Sequence, residues 1–442
     1  MPSNNKKVYK KRKRKRNNRS RIIVRAVVFA VCAFALIYKN YLSSDYNTDK
    51  PVHNDTDIIV ENTDSIIMET TAKINDPSAL LNGQQAELLQ KYALRYANTL
   101  TSMSAQDISG LYADTSSKGY MINKTAFDVL TSIRGMRDID LTLEYASVEY
   151  DITDIDINGN NATVYLLESN TQKFRHLSQP SYAANLYHEF VLTEKDGQWF
   201  IKSHMHEEDF YLLTEEAWPN SKGADNTERG KDTLRILMAD ARQNLADLGQ
   251  FQQGKYYTDL KVADTSYDRD AAVEYASKWW NTRNYTGHYL AYDAFGGNCQ
   301  NFASQSIHAG GIKMDHTGIL DLQWKFYDED LNTKQTAKGR SYSWTGVDMF
   351  YTYALHNYED GLVALTDIDY KYAEKGDIIH VGAYHHWRHA LLITDVLKNA
   401  DGTQQDIIVA SNTADRWNYP LSAYIYTAPR LIHILGQNRH LI

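Results

Sequence analysis

Between residues 141 and 206 the chain alternates apolar and polar residues with a period of two. "LTLEYASVEYDITDIDINGNNATVYLLES" carries two such runs on either side of "INGNNA". "SYAANLYHEFVLTEKDGQWFIKSHMHEED" repeats the arrangement around "KDGQ". A period of two places successive side chains on opposite faces of a strand. Short Asn-Gly or Asp-Gly punctuation between two such runs is a hairpin signal. This stretch is therefore committed to long antiparallel strands. Upstream, Leu88, Leu89, Tyr92, Ala93 and Tyr96 recur at helical spacing. Helix first and meander after gives residues 82–215 an α+β layer.

That order of elements resembles the NTF2-like cones, a likeness of fold that carries no function. Residues 216–265 follow as a helical connector, with "GADNTERG" read as a loop and "KDTLRILMADARQNLADLGQF" as one amphipathic helix. Residues 266–442 form the last segment, again α+β. The chain's 442 residues allow two or three domains, and no internal repeat interrupts this division. "HMHEED", His204 to Asp209, invites a metal reading, but the pattern is that of a polar strand end, and no metal is expected.

The N-terminus is an address. Residues 1–25 hold six Lys, six Arg and no acid, so the remaining 35 basic residues face 55 acidic ones. An acidic body argues against nucleic acid as a partner, because phosphate neutralisation needs clustered cations. The basic flank, 1–25, meets the apolar run 26–39, the layout of an export signal. No A-x-A cleavage site follows. The expectation is a single-pass signal anchor in a cell membrane with the later segments outside, secretion after cleavage being the alternative. Residues 40–80, polar and acidic, read as a flexible tether.

The chain has two cysteines. Cys32 sits in the apolar run, so a disulfide to Cys299 is not expected and a cysteine-based zinc site is excluded by count. An exported chain without disulfides suits the exterior of a Gram-positive cell. Cys299 lies in "FGGNCQNFASQSIHAGG", where Phe302, Ala303, Ile307 and Ala309 mark a helical stripe and Gly310–Gly311 its end. The cysteine then falls in the first helical turn, with Asn298 as cap. A helix N-terminus favours the thiolate, and the Cys299 N–H can serve an oxyanion.

A nucleophilic cysteine needs a base. "GDIIHVG", "HHWRHALLITDV" and "DIIVASNTADRWNYPLS" read as three strands. His385, His386 and His389 compete for the role. His389 opens an apolar strand, whereas the other two look like loop residues. HExxH is absent, which disfavours a metalloprotease. Trp279, Trp280, Trp324 and Trp344 read as packing, and Trp387 as packing or a cleft wall. Asn301 and Gln305 serve either the site or a neighbouring loop.

From Tyr267 onward the residues resemble the putative amidase domain family, within the papain-like and NlpC/P60 thiol hydrolases. The likeness rests on "GGNCQNFASQSIHAGG", "SYSWTGVDMFYTY", "KGDIIHVG", "HALLITDV" and "ASNTADRWNYPLS". It implies a papain-like domain with the cysteine at a helix N-terminus packed on an antiparallel sheet. It also implies Cys299 as nucleophile, His389 as base and no cofactor. The family often carries His-Thr where this chain has Asn412-Thr413. Asn412 remains the expected orienter of the imidazole, with Asp415 as the fallback. Asn298, Tyr292, Asp415 and Trp387 are candidate oxyanion or substrate contacts, and by analogy with NlpC/P60 enzymes either Tyr285 or Tyr292 supplies the second oxyanion donor. The expected activity is an extracytoplasmic cysteine amidase or peptidase, with cell-wall (peptidoglycan) peptide as a candidate substrate. The alternatives are a catalytically retired binding protein of the envelope and an acyl or peptide transferase.

Overall fold

A computed structural model describes residues 70–251, 261–285, 289–318, 322–326, 340–358, 360–383 and 386–438. The basic flank, the apolar run expected to be an anchor, most of the stretch read as tether and His385 lie outside them. Among the described residues, no helix is long and apolar enough to cross a membrane.

The middle segment is mixed α and β. Strand β1 (Thr71–Asn75) occupies the end of the stretch read as tether. Helix α1 (Gly83–Ser102) starts with a capping box: Asn82 Oδ1 accepts the Gln85 N–H and Gln85 Oε1 accepts the Asn82 N–H, both at 3.0 Å. Helix α2 (Lys118–Arg134) is capped by Ser117. Strands β2 (Leu143–Asn158), β3 (Asn161–Phe174), β4 (Ser181–Lys195) and β5 (Gln198–His206) follow as a meander. The "KDGQ" turn places Asp196 and Gly197 both at positive φ, 52° and 78°, as a tight right-twisted hairpin requires. Helices α3 (Asp209–Ala217) and α4 (Asn226–Phe251) complete the segment. The stretch Asn226–Gly230, read as loop, is the start of α4. The missed signal is Asp225, whose carboxylate accepts the Glu228 N–H at 2.9 Å as an N-cap.

The last segment runs through α5 (Arg269–Trp279), α6 (Cys299–Ala309), α7 (Tyr342–Thr345) and α8 (Val347–His356). The strands β6 (Gly361–Thr366), β7 (Ile378–Ala383), β8 (His386–Lys398), β9 (Gln404–Ser411), β10 (Asp415–Pro420) and β11 (Ala428–Asn438) come after them. Both segments contribute to one sheet of order β1-β2-β3-β4-β10-β9-β8-β7-β11-β6, with β5 paired to β4. Only the β1–β2 pair is parallel among the described strands. The join is made by β4. Its Tyr182–Ala184 end pairs with Trp417–Asp415 of β10, and its later part pairs with β5. Asn185, at φ 58°, stands where the pairing changes hands.

One face of this sheet carries a core that runs from Tyr92, Phe127 and Leu166 through to Val381, Leu391, Val409 and Tyr424. On the last segment's strands, α6 meets the other face, where His380 bonds to Gln300. There Trp324 and Trp344, fully buried, lie 4.7 Å apart ring to ring. Their indole N–H groups donate to Ser304 Oγ at 3.1 Å and Asn301 Oδ1 at 2.9 Å, which ties α6 to its neighbours. Those two tryptophans are packing, as read.

Candidate active site

Cys299 is the first residue of α6 and is buried. The short turn before it, Tyr292–Gly297, holds Gly296 and Gly297 at φ 110° and 136°, a region open to glycine and strained for other residues. Within that turn the Tyr292 carbonyl accepts the Phe295 N–H at 2.8 Å and the Gly297 N–H at 3.3 Å. Tyr285 is half exposed.

Asn298 stands at the N-cap position, but its side chain makes no capping bond. Its amide instead donates to Asn412 Oδ1 at 2.6 Å, and its Oδ1 accepts from Asn301 at 2.8 Å. Its backbone N–H donates to Thr413 Oγ1 at 2.6 Å, and its carbonyl accepts the Phe302 N–H at 2.8 Å. The expected capping role is thus replaced by a cross-link between the helix start and the β9–β10 turn. Local sequence shows Asn298 as a cap because Asn is common there; the competing partner lies 114 residues away in the chain.

Asn412 is fully committed in this conformation. Its Oδ1 holds Asn298, and its Nδ2 points to the carbonyls of Trp280 at 2.8 Å, Trp279 at 3.1 Å and Thr282 at 3.2 Å. These bonds link the turn to the end of α5. Asp415 is committed likewise. Its Oδ1 accepts the Thr413 N–H at 2.7 Å, while its Oδ2 accepts from Asn185 at 2.8 Å and Arg283 at 3.1 Å.

The structure brings Asn298, Asn412 and Asp415 together and places His389 elsewhere. His389 pairs with Val381 across β7–β8, and Trp387 pairs with Gly382, so Arg388 is an extra residue, a bulge. A bulge re-aims the side chains on either side of it. His389 therefore shares the face of Val381 and Leu391, its ring centroid 6.4 Å from that of Tyr424. Its Nε2 is buried with no hydrogen-bond partner among the described residues. Burial, and then the nearby Arg416 charge, push its pKa down to about 3. Simple alternation along "HWRHALL" conceals this turn of the chain. Arg388 pairs with Glu216 of α3.

The imidazole bonded to the cysteine helix is His380 of β7, which sequence reading passed over as part of an apolar run. Its Nε2 lies 2.9 Å from Gln300 Oε1, and Arg430 Nε donates to its Nδ1 at 3.1 Å. A guanidinium only donates, so Nδ1 is the acceptor and Nε2 carries the proton. Burial, then the charge of Arg430, hold His380 well below the usual histidine range. Trp387 lies over Arg430, 4.5 Å from guanidinium carbon to ring centroid, and completes this neutral, fixed-tautomer group.

A second buried polar group lies in the middle segment. His188 Nε2 meets Glu168 at 3.1 Å, and His188 Nδ1 meets His204 Nε2 at 2.9 Å. His204 and His206 stack at 4.7 Å. Burial first, then neighbouring histidine charge, push His204 and His206 well below the usual range. Among the described residues no His, Cys, Asp and Glu set is arranged to hold a metal ion. A cavity of about 150 Å³ opens between Arg137, Tyr370, Asp406, Ser422 and Tyr426, and no site candidate lines it.

Residues 266–435 match the model of a family described as a putative amidase domain. Among curated proteins, the chain is 29% identical over 203 residues to the uncharacterized protein YhbB of Bacillus subtilis (strain 168). That alignment covers 44% of this chain and 54% of the relative, so the chain spans about half the length of the curated relative it matches. No solved structure matches the chain.

Proposed function

We propose that residues 266–435 form a papain-like cysteine hydrolase acting on an amide or peptide bond, with Cys299 as nucleophile and His389 as general base. The observation that carries this reading is Cys299 as the first residue of α6, inside the segment that matches the putative amidase family. His389 takes the thiol proton and the sulfur attacks the carbonyl carbon. The Cys299 N–H and one further donor receive the oxyanion. Collapse expels the amine, protonated by His389, and a water deprotonated by the same ring clears the thioester. His380 is unsuited as the base, because both its nitrogens are engaged. In the conformation described here His389 faces away from α6. A one-residue slip that absorbs the Arg388 bulge turns it to the helix face, since such a slip flips side chains across the sheet.

The basic run followed by an apolar run supports an extracytoplasmic, membrane-anchored enzyme, and that address supports cell-wall peptide as substrate. The test is the pH profile of Cys299 alkylation by iodoacetamide, read by peptide mass in the full chain. The wild type should show an apparent thiol pKa well under about 8.5. His389→Ala should raise it, and His380→Gln should leave the His389 dependence intact. An ordinary thiol pKa, indifferent to His389, would refute the hydrolase. It would favour the retired amidase fold acting as a binding protein, a reading that the commitment of Asn412 to Asn298 and backbone carbonyls also favours.

A further inference from the structure

The β9–β10 turn is built in an unusual conformation. Thr413 and Ala414 have φ of 66° and 50°, consecutive left-handed residues of which neither is glycine. For a β-branched residue this region is a real outlier. Such strain persists only where the surroundings over-determine it, and it concentrates at functional sites. Here the surroundings can be named. Asp415 Oδ1 receives the Thr413 N–H at 2.7 Å, and Ser411 Oγ donates to the Ala414 carbonyl at 3.1 Å. Asp415 is itself gripped by Asn185 of β4 and by Arg283. The turn so restrained meets the start of α6 at two points: Thr413 Oγ1 accepts the backbone N–H of Asn298, the residue directly before Cys299, at 2.6 Å, and Asn412 Oδ1 accepts the Asn298 side-chain amide at 2.6 Å.

Asn-Gly or Gly-Gly would make the same turn with less strain, but neither offers a hydroxyl at that point. We infer that Thr413 is a positioning residue for Cys299, held in a strained turn so that its hydroxyl fixes the backbone at the start of α6 and thereby aims the first-turn N–H groups at the sulfur. The inference deepens the hydrolase reading and rests on it. It also gives the middle segment a part in the site, because Asn185 belongs to β4.

The test compares Thr413→Gly and Thr413→Ser in the full chain carrying Cys32→Ser, so that only one thiol reports. Glycine removes the hydroxyl and the strain at position 413, leaving that at Ala414; serine keeps the hydroxyl. Two quantities are read: the apparent pKa of Cys299 from iodoacetamide alkylation, and the thermal midpoint. Thr413→Gly should raise the thiol pKa by about half a unit, the size of a typical helix-terminus interaction, while the midpoint moves little, because relief of strain offsets the loss of the acceptor for the Asn298 N–H. Thr413→Ser should keep the wild-type thiol pKa. A purely structural threonine would lower the midpoint when replaced by glycine, with reactivity following stability. A depressed wild-type pKa that Thr413→Gly leaves in place overturns the positioning role and spares the hydrolase. A wild-type pKa at the ordinary thiol value overturns both.

Discussion

Arg416 and Glu208 form an ion pair across the join between the two segments, with Nη2 to Oε2 at 2.6 Å and both side chains almost fully buried. At an effective dielectric of about 20, unit charges at that distance attract by about 6 kcal/mol. Removing each ion from water costs several kcal/mol, so the pair as a whole nearly breaks even. Removing one partner is different. Glu208→Gln leaves a buried guanidinium whose Nε and Nη1 already lack acceptors among the described residues. Arg416→Met leaves a carboxylate with two neutral donors, Tyr96 Oη at 2.9 Å and Asn170 Nδ2 at 3.4 Å, both on Oε1. Each single variant should lose about 3–5 kcal/mol. The double variant should lose clearly less than the sum, with a coupling of about 2 kcal/mol. The assay is urea unfolding followed by far-UV circular dichroism and tryptophan fluorescence. Coincident transitions are expected, because β4–β10 pairing and this ion pair bind the segments into one sheet. Single losses below about 1 kcal/mol, or additive effects, would refute the claim that the pair is desolvated and coupled. Two separated transitions in the wild type would refute the claim of cooperative union.

Acid should unfold the chain in two stages. Burial, and then the Arg416 charge, lower the pKa of His389 to about 3, against about 6.5 in the unfolded chain. The unfolded state therefore binds more protons between those values, and stability falls as pH drops below about 6.5. His380, His204 and His206 shift in the same direction. Burial alone would raise the Glu208 carboxyl, but the Arg416 charge and hydrogen bond hold it below the usual range. Its stabilisation is present above about 4.3 and is lost as pH falls through its folded value. Thermal midpoints measured from pH 7 to 3 should show both declines, and His389→Asn should make the first shallower, with His380, His204 and His206 keeping the rest; a flat profile above pH 5 would contradict these neutral histidines. Gly310 closes α6, and a methyl group there would overlap the Tyr267 ring and the Asp268 carbonyl. Gly310→Ala should cost about 1–3 kcal/mol in the same urea assay, whereas Gly402→Ala, strained in backbone but open in space, should lose no packing.

The site was only half legible before the fold. The helix start at Cys299 shows in "GGNCQNFASQSIHAGG" because glycine punctuation and an apolar stripe are local signals. The direction of His389 was not legible, because it depends on whether Arg388 is counted into the strand pairing, and a bulge is a relation between two strands. His380 stayed hidden in "GDIIHVG" because its partners, Gln300 and Arg430, lie 80 and 50 residues away.

By itself, the sequence determined where the chain alternates and where it coils. The period-two runs of β2 to β5, the stripe of α1 and the turns at Gly159 and Gly197 follow from side-chain spacing and glycine conformations that act within a few residues. The tertiary structure decided what pairs with what. That β4 carries β5 on one part and β10 on another, that Asn298 gives up capping to reach Asn412 and Thr413, and that an arginine of β10 neutralises a carboxylate at the head of α3 are contacts between residues far apart in the chain. No local pattern encodes such contacts. They are selected together, when burial of the shared core favours arrangements that give most of the polar groups inside it a partner.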